Sequence, residues 1–529
     1  MRAKDRITHP ALASENAAIP GLFHSACPYK ILRFAMLVVA IFSFFGNSCA
    51  VRSIGQNPVI FPAPKGIAPS KDYKIFVDGQ PVFCYTTWRL DNVHATTKIN
   101  GRNVSPVNFA IFDFSRPARV RLELRKGLIP SAKRVRILPS ALKISPEVHG
   151  NVIEFTLNSP GNVTVDPSGD SQNALHLFTN LPETDVPSPD DPNVVYFGPG
   201  VHDIESVALK SGQTLYIAGG AVLRVSPRPT GNKGKAMKLE YAGAAPAIQL
   251  DKPNVTIRGR GIISGNRAYT DMKRFQMIRC DSNTNVTIRD IVVTDSPTWT
   301  VVFNECNNVQ VDGLRVVCFF ENSDGIVASG CSEVTVRNSF VHNADDGLGI
   351  KAWKPSKNVR FENCQVWSDS GTPMGLTGEI FAPVENACWK GITVLHYPSF
   401  PASQFEMRAV ILIRARGGGR VRNISFEDIV VESNVGLRPA VRITNEKVNW
   451  NKTPMSEDTP FSEISDVTLR NVDIRNLSNP KTSNWLYFVN DAKNVLIHDI
   501  VLDNVVINGK PVIANDPRIK SLNSRIIIR

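Results

Sequence analysis

The stretch that decides the fold is Asn285-Val286-Thr287-Ile288-Arg289, because its pattern returns along the second half of the chain. Each copy begins with Asn, Asp or Glu and then carries two apolar residues separated by one other residue. This period of two is typical of a β-strand and excludes helical repeats. The other copies are residues 254–258, 308–312, 333–337, 358–362, 423–427, 466–470 and 494–498.

The spacing of the copies predicts a solenoid. The first apolar positions are separated by 31, 23, 25, 25, 65, 43 and 28 residues. A step of about 25 residues is typical of a coil in which each turn stacks on the previous one. We therefore predict an all-β fold, a right-handed parallel β-helix, in which Val255 stacks on Val286. Asn at the corner suits a left-handed turn residue whose side-chain amides form a ladder.

The cysteines follow the same period. Cys280, Cys306 and Cys331 lie 26 and 25 residues apart, which predicts a ladder in the core rather than a catalytic thiol. Beyond residue 50 the chain has no Cys-x-x-Cys pair, so neither a disulfide framework nor a zinc site is indicated. We expect no metal and no cofactor.

Composition changes along the chain predict the domain organisation. Residues 51–180 contain short alternating runs separated by Pro, Gly and Asn, which is typical of a small β-sandwich. Residues 181–192 are rich in proline and acidic residues and form a predicted linker. The β-helix is expected over residues 193–515, followed by a tail at residues 516–529.

The N-terminal segment resembles an export signal. Lys30 and Arg33 precede an apolar run at residues 34–45, and small residues follow near Cys49. The run of 12 residues is too short to cross a hydrocarbon layer of ~30 Å. We predict that residues 1–50 are a signal peptide, with lipidation of Cys49 as the alternative. The mature chain is expected to be a secreted or periplasmic monomer without a membrane span.

The chain is basic, with a formal net charge of +12. Such a charge favours contact with anionic polymers. The Lys and Arg residues are scattered, and no basic cluster is interleaved with aromatic residues, so nucleic-acid binding is not indicated. A soluble basic surface explains the charge equally well.

Two acidic sites carry the chemistry that the sequence suggests. Asp324 precedes the pair Asp345 and Asp346 by 21 residues, slightly less than a coil, so the sites should lie side by side. Gly347 and Gly349 would allow a bend that turns both members of the pair into one groove. Glycosidic hydrolysis needs one acid and one base, which crowded carboxylates supply. Turn aspartates in a structural ladder, or a Ca²⁺ site, are the alternatives.

These motifs resemble those of a known family. Asn322-Ser323-Asp324 followed by Asp345-Asp346 is similar to the Asn-Thr-Asp and Asp-Asp motifs of family 28 glycoside hydrolases, the polygalacturonases. Ser296-Pro297-Thr298-Trp299 and the glycine-rich turn at residues 416–419 are similar to further motifs of that family. The resemblance covers roughly residues 193–510.

The resemblance implies an activity and a role for each residue. Asp345 would be the general acid, and Asp324 with Asp346 would hold the attacking water, so that the anomeric carbon is inverted. Asn322 would contact the substrate, a polysaccharide such as pectin or a related acidic glycan. Hydrolysis of this kind needs no cofactor.

The chain also departs from the family pattern. The family's Gly-His-Gly falls near residues 371–375, which contain no histidine, and its Arg-x-Lys pair falls on Val-Ile-Leu at residues 410–412. Arg414 or Arg416 would then replace the residues that grip a galacturonate carboxylate.

Other side chains near the acidic pair are candidates for substrate binding. Lys351 follows the pair closely. Trp353, and at coil-scale intervals Trp367 and Trp389, could stack on sugar rings or equally pack in the core.

Three other functions remain open at this point. A sandwich followed by a β-helix with three aspartates and no such histidine is similar to the family 49 dextranases and isopullulanases, which act on neutral α-glucans. A Ca²⁺-dependent polysaccharide lyase or a uronate epimerase would need a base, for which Lys351 is the candidate. A non-catalytic glycan-binding solenoid would use the aspartates only structurally.

Overall fold

The computed structural model describes most of the chain beyond residue 57. The described residues are 58–529 except 92–94, 96, 100, 130, 227–244, 266–274, 398–407, 433–438, 446, 448–455, 457 and 476–484. The predicted signal peptide, residues 1–50, lies outside the described residues. Ile54–Arg529 forms one compact unit. Within the described part, no helix has the length and apolar character needed to cross a membrane.

The first part of the chain forms two facing sheets. One sheet has seven strands, with the order β1-β6-β12-β11-β8 and with β4 and β5 paired to β6, and the other has five, in the order β3-β2-β7-β10-β9. Their inward side chains, among them Phe112 and Leu122, share one apolar core, as in a β-sandwich. Two short 3-10 helices lie at Ala132–Arg134 and Ser140–Leu142. The strands are β1 Val59–Ile60, β2 Tyr73–Val77, β3 Gln80–Val82, β4 Cys84–Leu90, β5 Thr97–Ile99, β6 Arg102–Asp113, β7 Ala118–Leu124, β8 Arg136–Leu138, β9 Glu147–His149, β10 Val152–Leu157, β11 Asn162–Asp166 and β12 Leu175–Asn180.

The remaining strands wind into coils. The strands are β13 Val194–Phe197, β14 Gly200–Ile204, β15 Val207–Ala208, β16 Thr214–Ile217, β17 Ala221–Val225, β18 Ile248–Leu250, β19 Val255–Gly259, β20 Ile262–Ser264, β21 Ile278–Asp281, β22 Thr284–Arg289, β23 Val292–Thr294, β24 Val301–Asn304, β25 Asn307–Asp312, β26 Arg315–Val317, β27 Ile326–Ser329, β28 Ser332–Arg337, β29 Phe340–Asn343, β30 Leu348–Ala352, β31 Ser356–Glu362, β32 Gln365–Ser368, β33 Met374–Ile380, β34 Val384–Lys390, β35 Thr393–His396, β36 Ile411–Ala415, β37 Val421–Val431, β38 Val441–Asn445, β39 Ile464–Ile474, β40 Leu486–Asn490, β41 Ile497–Ile507, β42 Lys510–Pro511, β43 Ile519–Leu522 and β44 Ser524–Ile528.

Each coil pairs in parallel with the next. The pairings join 21 strands into one sheet system and 11 strands, β15 to β43, into a second sheet, here called the eleven-stranded sheet. Val255 pairs with Val286, and Val286 pairs with Val309, as the repeat predicts. These side chains and their counterparts fill one continuous core. The predicted fold class, a parallel β-helix preceded by a sandwich, is confirmed.

Asparagine marks the coil corners. Asn254, Asn285 and Asn308 adopt left-handed φ angles of 60°, 59° and 53°. The side-chain amide of Asn285 donates to Asn254 Oδ1 at 2.7 Å, and that of Asn308 donates to Asn285 Oδ1 at 2.8 Å. The predicted ladder is therefore confirmed. It works because Asn tolerates this region better than most residues and pairs with its copy one coil away.

The structure corrects two features of the repeat. Asn386 has a φ of 58° and begins a further copy in β34, which the sequence motif missed because Ala387 stands where the other copies have a larger apolar residue. The predicted copy at residues 494–498 is wrong. Val495 is exposed, and the corner residue of that coil is Asp499, followed by Ile500 in register with Val467.

The outer face of the 21-strand system carries alternating charges. Successive coils place residues of opposite charge opposite one another, and Arg337 contacts Asp312 at 2.9 Å. Such cross-strand pairs each contribute a few tenths of a kcal/mol to ~1 kcal/mol and disfavour a shifted register. The residues in order are Arg289, Asp312, Arg337, Glu362, Lys390, Glu427, Arg470 and Asp503.

The N-terminal sheets cover another face of the coils. Phe109 and Phe178 pack with Phe340 and Trp367 in one buried cluster. This contact explains why strands such as β26 are buried on both faces. Trp367 therefore packs in the core between the two parts of the molecule and does not face a groove.

A buried polar chain crosses the same contact. His176 Nε2 lies 2.9 Å from His342 Nδ1, and His342 Nε2 lies 3.0 Å from Asp369 Oδ2. Burial, together with the neighbouring His342, holds the pKa of His176 well below its usual value, so His176 is neutral. The chain ties the sandwich to the coil that carries Asp345, since Asp369 N donates to Asn343 O at 2.8 Å.

The cysteine ladder is also confirmed. Cys280, Cys306 and Cys331 are buried, and the Sγ atoms of Cys306 and Cys280 are 3.3 Å apart. All seven cysteines of the described region are free, and all except Cys388 are buried. They therefore serve as packing residues.

A pair of variants at Asn285 tests the corner geometry. Asn285→Ala leaves a residue with a Cβ in the left-handed conformation but without the polar group that makes this region tolerable for Asn, at a cost of up to ~1–2 kcal/mol, and it removes the amide ladder. Asn285→Gly removes the same amide without the strain. We expect urea unfolding followed by circular dichroism to show Asn285→Ala as the less stable variant by about 1 kcal/mol. Equal stability of the two variants would contradict the strain argument.

Candidate active site

The three predicted aspartates lie on neighbouring coils. Asp324 precedes β27, and Asp345 and Asp346 precede β30, the strand that pairs with β27. The two segments touch directly, because Gly325 N donates to Asp346 O at 2.7 Å. The structure thus brings together the two acidic sites that the 21-residue spacing places side by side.

The Asp pair sits on a bend that Asn343 holds. The Asn343 amide donates to the carbonyl oxygens of Ser323 at 2.9 Å, Asp345 at 3.0 Å and Asp346 at 2.8 Å. Gly371 makes room for the bend, since a Cβ there would lie 1.9 Å from the carbonyl carbon of Asp345. A buried amide with three acceptors fixes the backbone that carries both carboxylates.

Asp345 is the more exposed member of the pair. Its Oδ2 accepts a hydrogen bond from Asn322 N at 3.1 Å, and its Oδ1 accepts one from Asp346 N at 2.9 Å. Asn322 has a left-handed φ of 66°, which turns its backbone amide toward this carboxylate. Asn322 therefore orients Asp345 through its backbone.

A buried lysine gathers the other carboxylates. Lys351 Nζ lies 3.2 Å from Asp324 Oδ2, 3.3 Å from Asp346 Oδ2 and 3.0 Å from Glu379 Oε2. Its ammonium also lies 4.5 Å from the centre of the Trp299 ring, within cation–π range. Only 2% of Lys351 is exposed, so it lies beneath the carboxylates rather than at the surface of a groove.

The charges of this cluster shift the proton affinities of its members. Burial raises the pKa of Asp346 to about 6, although the Lys351 ammonium opposes this shift. Burial likewise raises the pKa of Asp324 well above its usual value, again against Lys351. Burial alone would lower the pKa of Lys351, but the three carboxylates hold it well above its usual value. Lys351 therefore stays positively charged.

The predicted arginines and Trp353 have different surroundings. Arg414 and Arg416 are buried, and Arg416 Nε donates to Gly378 O at 2.7 Å, one residue from Glu379. Trp353 is half-buried and packs on Phe381, with ring centres 4.6 Å apart. None of these three side chains is an exposed sugar platform.

Trp389 is fully buried and is excluded from sugar stacking. Its ring lies in the solenoid core between Phe361 and Phe426, with ring centres 5.4 Å and 4.8 Å away. Its Nε1 donates to Leu348 O at 3.1 Å. The core alternative for this tryptophan is therefore the correct one.

Sequence reasoning missed Glu379 and the holding role of Asn343. Glu379 follows Asp346 by more than one coil and belongs to no motif. The register shift between β30 and β33 brings it beside Lys351. Asn343 lies two residues before Asp345 in the sequence, but its burial, which forces its amide to find acceptors, is visible only in the structure.

The carboxylates of this cluster are not arranged as in a typical metal centre. In the described ranges, no group of three or more His, Cys, Asp or Glu side chains is placed to hold a metal ion. The carboxylates of Asp324, Asp346 and Glu379 instead surround an ammonium group.

Comparison with known proteins places the chain in a family. The sequence profile of glycosyl hydrolases family 28 matches residues 255–521, about half of the chain. The chain belongs to family 28 of the glycosyl hydrolases. The matched region contains all three aspartates and Lys351.

Family 28 relatives share modest sequence identity with this chain. A polygalacturonase from Persea americana is 25% identical over 238 residues, which cover 42% of this chain and 48% of the relative. Exopolygalacturonase X-1 from Emericella nidulans is 23% identical over 267 residues, which cover 45% and 59%. The chain thus spans about half the length of these relatives.

The fold has a solved counterpart. Dex49A from Penicillium minioluteum superposes with a TM-score of 0.64 over 89% of this chain and 96% of its own, at 15% identity. At this identity the likeness concerns the fold alone.

Removing the buried ammonium tests the charge balance of the site. Lys351→Met leaves the buried Asp324 and Asp346 and the partly buried Glu379 without their cation, which we expect to cost about 3–5 kcal/mol of unfolding free energy near pH 8. The loss should be smaller at pH 5, because carboxylates with raised pKa values take up protons there. Urea unfolding at both pH values measures the difference.

The double variant Lys351→Met with Glu379→Gln is the matched control. It removes one of the uncompensated charges and should recover part of the lost stability at pH 8. A pH-independent loss, or no recovery in the double variant, would contradict the charge argument.

Proposed function

We propose that the chain is an inverting glycoside hydrolase that cleaves an acidic polysaccharide of the polygalacturonate type. Family membership and the polygalacturonases among its relatives support this function. The observation that carries it is that Lys351 contacts two of the three aspartates and leaves the third in different surroundings. Its ammonium contacts Asp324 and Asp346, whereas the more exposed Asp345 receives hydrogen bonds from backbone amides.

This division suggests a role for each carboxylate. Asp324 and Asp346 both contact the Lys351 ammonium, which opposes the rise in pKa that burial causes, so above the pKa of about 6 an ionised Asp346 suits the activation of a water molecule. Asp345 is the more accessible carboxyl group, so it is the one that suits contact with the leaving oxygen as general acid. Lys351 and Glu379 then act as positioning residues that set the charge of the pair. Asn322 orients Asp345 and borders the substrate.

The other functions have less support. A lyase or epimerase would need Lys351 as a base, but its three carboxylate partners keep it protonated. A neutral α-glucan as substrate is not favoured, because the family and the named relatives point to polygalacturonate. A non-catalytic glycan-binding solenoid would bind the glycan without cleaving it. In that case the parent protein would release no reducing ends from polygalacturonate.

The proposal includes the location and the division of the chain. We propose a secreted or periplasmic enzyme whose residues 1–50 are a signal peptide. Residues 51–180 would form the sandwich domain, 181–192 the linker, 193–515 the catalytic β-helix and 516–529 the tail. We further propose that the enzyme is a monomer, without a cofactor.

The assignment of Asp345 is tested by Asp345→Asn. This change removes the acidic proton with little change in volume, so kcat for release of reducing ends from polygalacturonate should fall by ~100-fold or more. Asp203→Asn, at an exposed ion pair with Arg224, is the matched control and should retain the parental rate. An unaffected rate in Asp345→Asn would overturn the role. Cleavage of dextran or pullulan instead of polygalacturonate would change the substrate class.

The charge on Glu379 should shift the pH profile. If Asp346 must be ionised, kcat/KM falls as the pH drops through the pKa of about 6 that burial gives this residue. Glu379 raises that pKa by repulsion, so Glu379→Gln should move the acid limb to lower pH. Glu385→Gln, on the outer face of β34, is the control. If the acid limb of the kcat/KM profile of Glu379→Gln stays at the same pH or moves to higher pH, the proposed charge coupling is contradicted.

A further inference from the structure

Strands β4 and β6 of the sandwich contact the coils that carry the acidic site. Three contacts from these strands reach acidic residues, each in a segment that connects the 21-strand system to the eleven-stranded sheet. Asp324 and Asp345 lie in segments of the same kind, on neighbouring coils. The sandwich therefore touches the acidic site along one side as well as covering apolar residues. The contacts are Thr87 Oγ1 with Asp295, Leu90 N with Asp369 and Arg102 with Glu321.

Glu321 lies in a tight turn that orients Asp345. Ser323 N donates to Phe320 O at 3.0 Å, and Asn322, the third residue of the turn, has a left-handed φ of 66°. Turns with a left-handed third residue favour Gly or Asn at that position. The turn directs Asn322 N to Asp345 Oδ2 at 3.1 Å, and Asn322 Nδ2 lies 3.5 Å from the same oxygen. The position of the Asp345 carboxyl group thus depends on this turn.

The sandwich holds the turn at its first two residues. Arg102 Nη1 lies 2.7 Å from Glu321 Oε1, and the guanidinium carbon of Arg102 lies 5.8 Å from the centre of the Phe320 ring. An apolar cluster shared by the two parts of the molecule lies beside this pair. Its members are Trp88, Ile99 and Val104 from the sandwich and Phe319 and Phe320 from the coil.

The pair of Arg102 and Glu321 has little to do with overall stability. Their side chains are 36% and 48% exposed, and exposed ion pairs contribute at most about 1 kcal/mol to folding. A catalytic group is more sensitive, because a small displacement from its productive geometry lowers the rate strongly. An exposed pair beside the turn can therefore affect the reaction without affecting the fold.

We propose that Arg102 of the sandwich is a positioning residue for the reaction at Asp345. It holds the turn at residues 320–323 through Glu321 and so keeps the Asn322 amide on the Asp345 carboxyl group. The inference rests on the proposed hydrolase function. It adds that the sandwich is a working part of the active site, although none of its residues takes part in proton transfer.

Steady-state kinetics on polygalacturonate test this role. Arg102→Gln should lower kcat about fivefold, the effect of losing one exposed ion pair. KM should stay within about twofold, because the orientation of the proton donor matters in the transition state more than in substrate binding. Arg102→Glu should lower kcat further, since it repels Glu321. The double variant Arg102→Glu with Glu321→Arg reverses the pair and should recover most of the parental kcat.

Two comparisons separate positioning from a loss of structure. Arg119→Gln, at an exposed ion pair with Glu154 in the other sheet, should keep the parental kcat and KM. In the Asp345→Asn background there is no proton to place, so Arg102→Gln should not lower the residual kcat further. A merely structural role would lower kcat by the same factor in both backgrounds. The thermal unfolding midpoint of Arg102→Gln should match that of the parent.

Amide hydrogen exchange follows the turn without any substrate. Mass spectrometry of a peptide that covers residues 319–324 should show about fivefold faster exchange in Arg102→Gln, because weaker anchoring raises the population of the open turn. Arg119→Gln should exchange like the parent in this peptide.

The outcomes distinguish the two proposals. If the parent cleaves polygalacturonate, an unchanged exchange rate or an unchanged kcat in Arg102→Gln overturns the positioning role and leaves the hydrolase function intact. An equal loss of kcat in the Asp345→Asn background does the same. If the parent releases no reducing ends from any polymer, the hydrolase function fails, and the positioning role fails with it even where exchange in the turn is faster.

Discussion

The structure depends on the register between coils. Each inward residue must lie on its counterpart one coil away, because a shift by one residue would turn the apolar side chains outward along every strand. Three independent contacts enforce this register: the apolar columns, the asparagine corners and the alternating charges on the outer face. The same register fixes the relative positions of Asp324 and Asp346, because these residues lie on directly paired coils.

Within that frame, the Lys351 ammonium organises the site. Carboxylates this deeply buried would be neutral without a cation, and a buried cation would be too costly without carboxylates. Lys351 satisfies both conditions by contacting Asp324, Asp346 and Glu379 together. Asp345 lies outside this set of contacts and accepts hydrogen bonds from backbone amides instead.

The sandwich packs directly against the solenoid and shares a buried cluster with it. It covers apolar residues on the outside of the coils and joins them through the buried chain from His176 to Asp369. Asp369 in turn contacts Asn343, the residue whose amide holds the bend that carries Asp345 and Asp346. The covered face also explains why Trp367 is unable to serve as a sugar platform.

The sequence by itself determined the β-helix, the asparagine corners, the cysteine ladder and the grouping of the three aspartates, because each of these follows from a local period repeated along the chain. Only the tertiary structure decided what lies under and beside those aspartates. Glu379 reaches Lys351 through a register shift, and Arg102 reaches Glu321 from the sandwich. Loops of unequal length separate these residues in sequence, so no fixed spacing marks them. The coil that begins at Asn386 was hidden because Ala387 stands at its first apolar position. Periodicity encodes stacking within the solenoid, whereas the charge balance of a site depends on neighbours that only folding brings together.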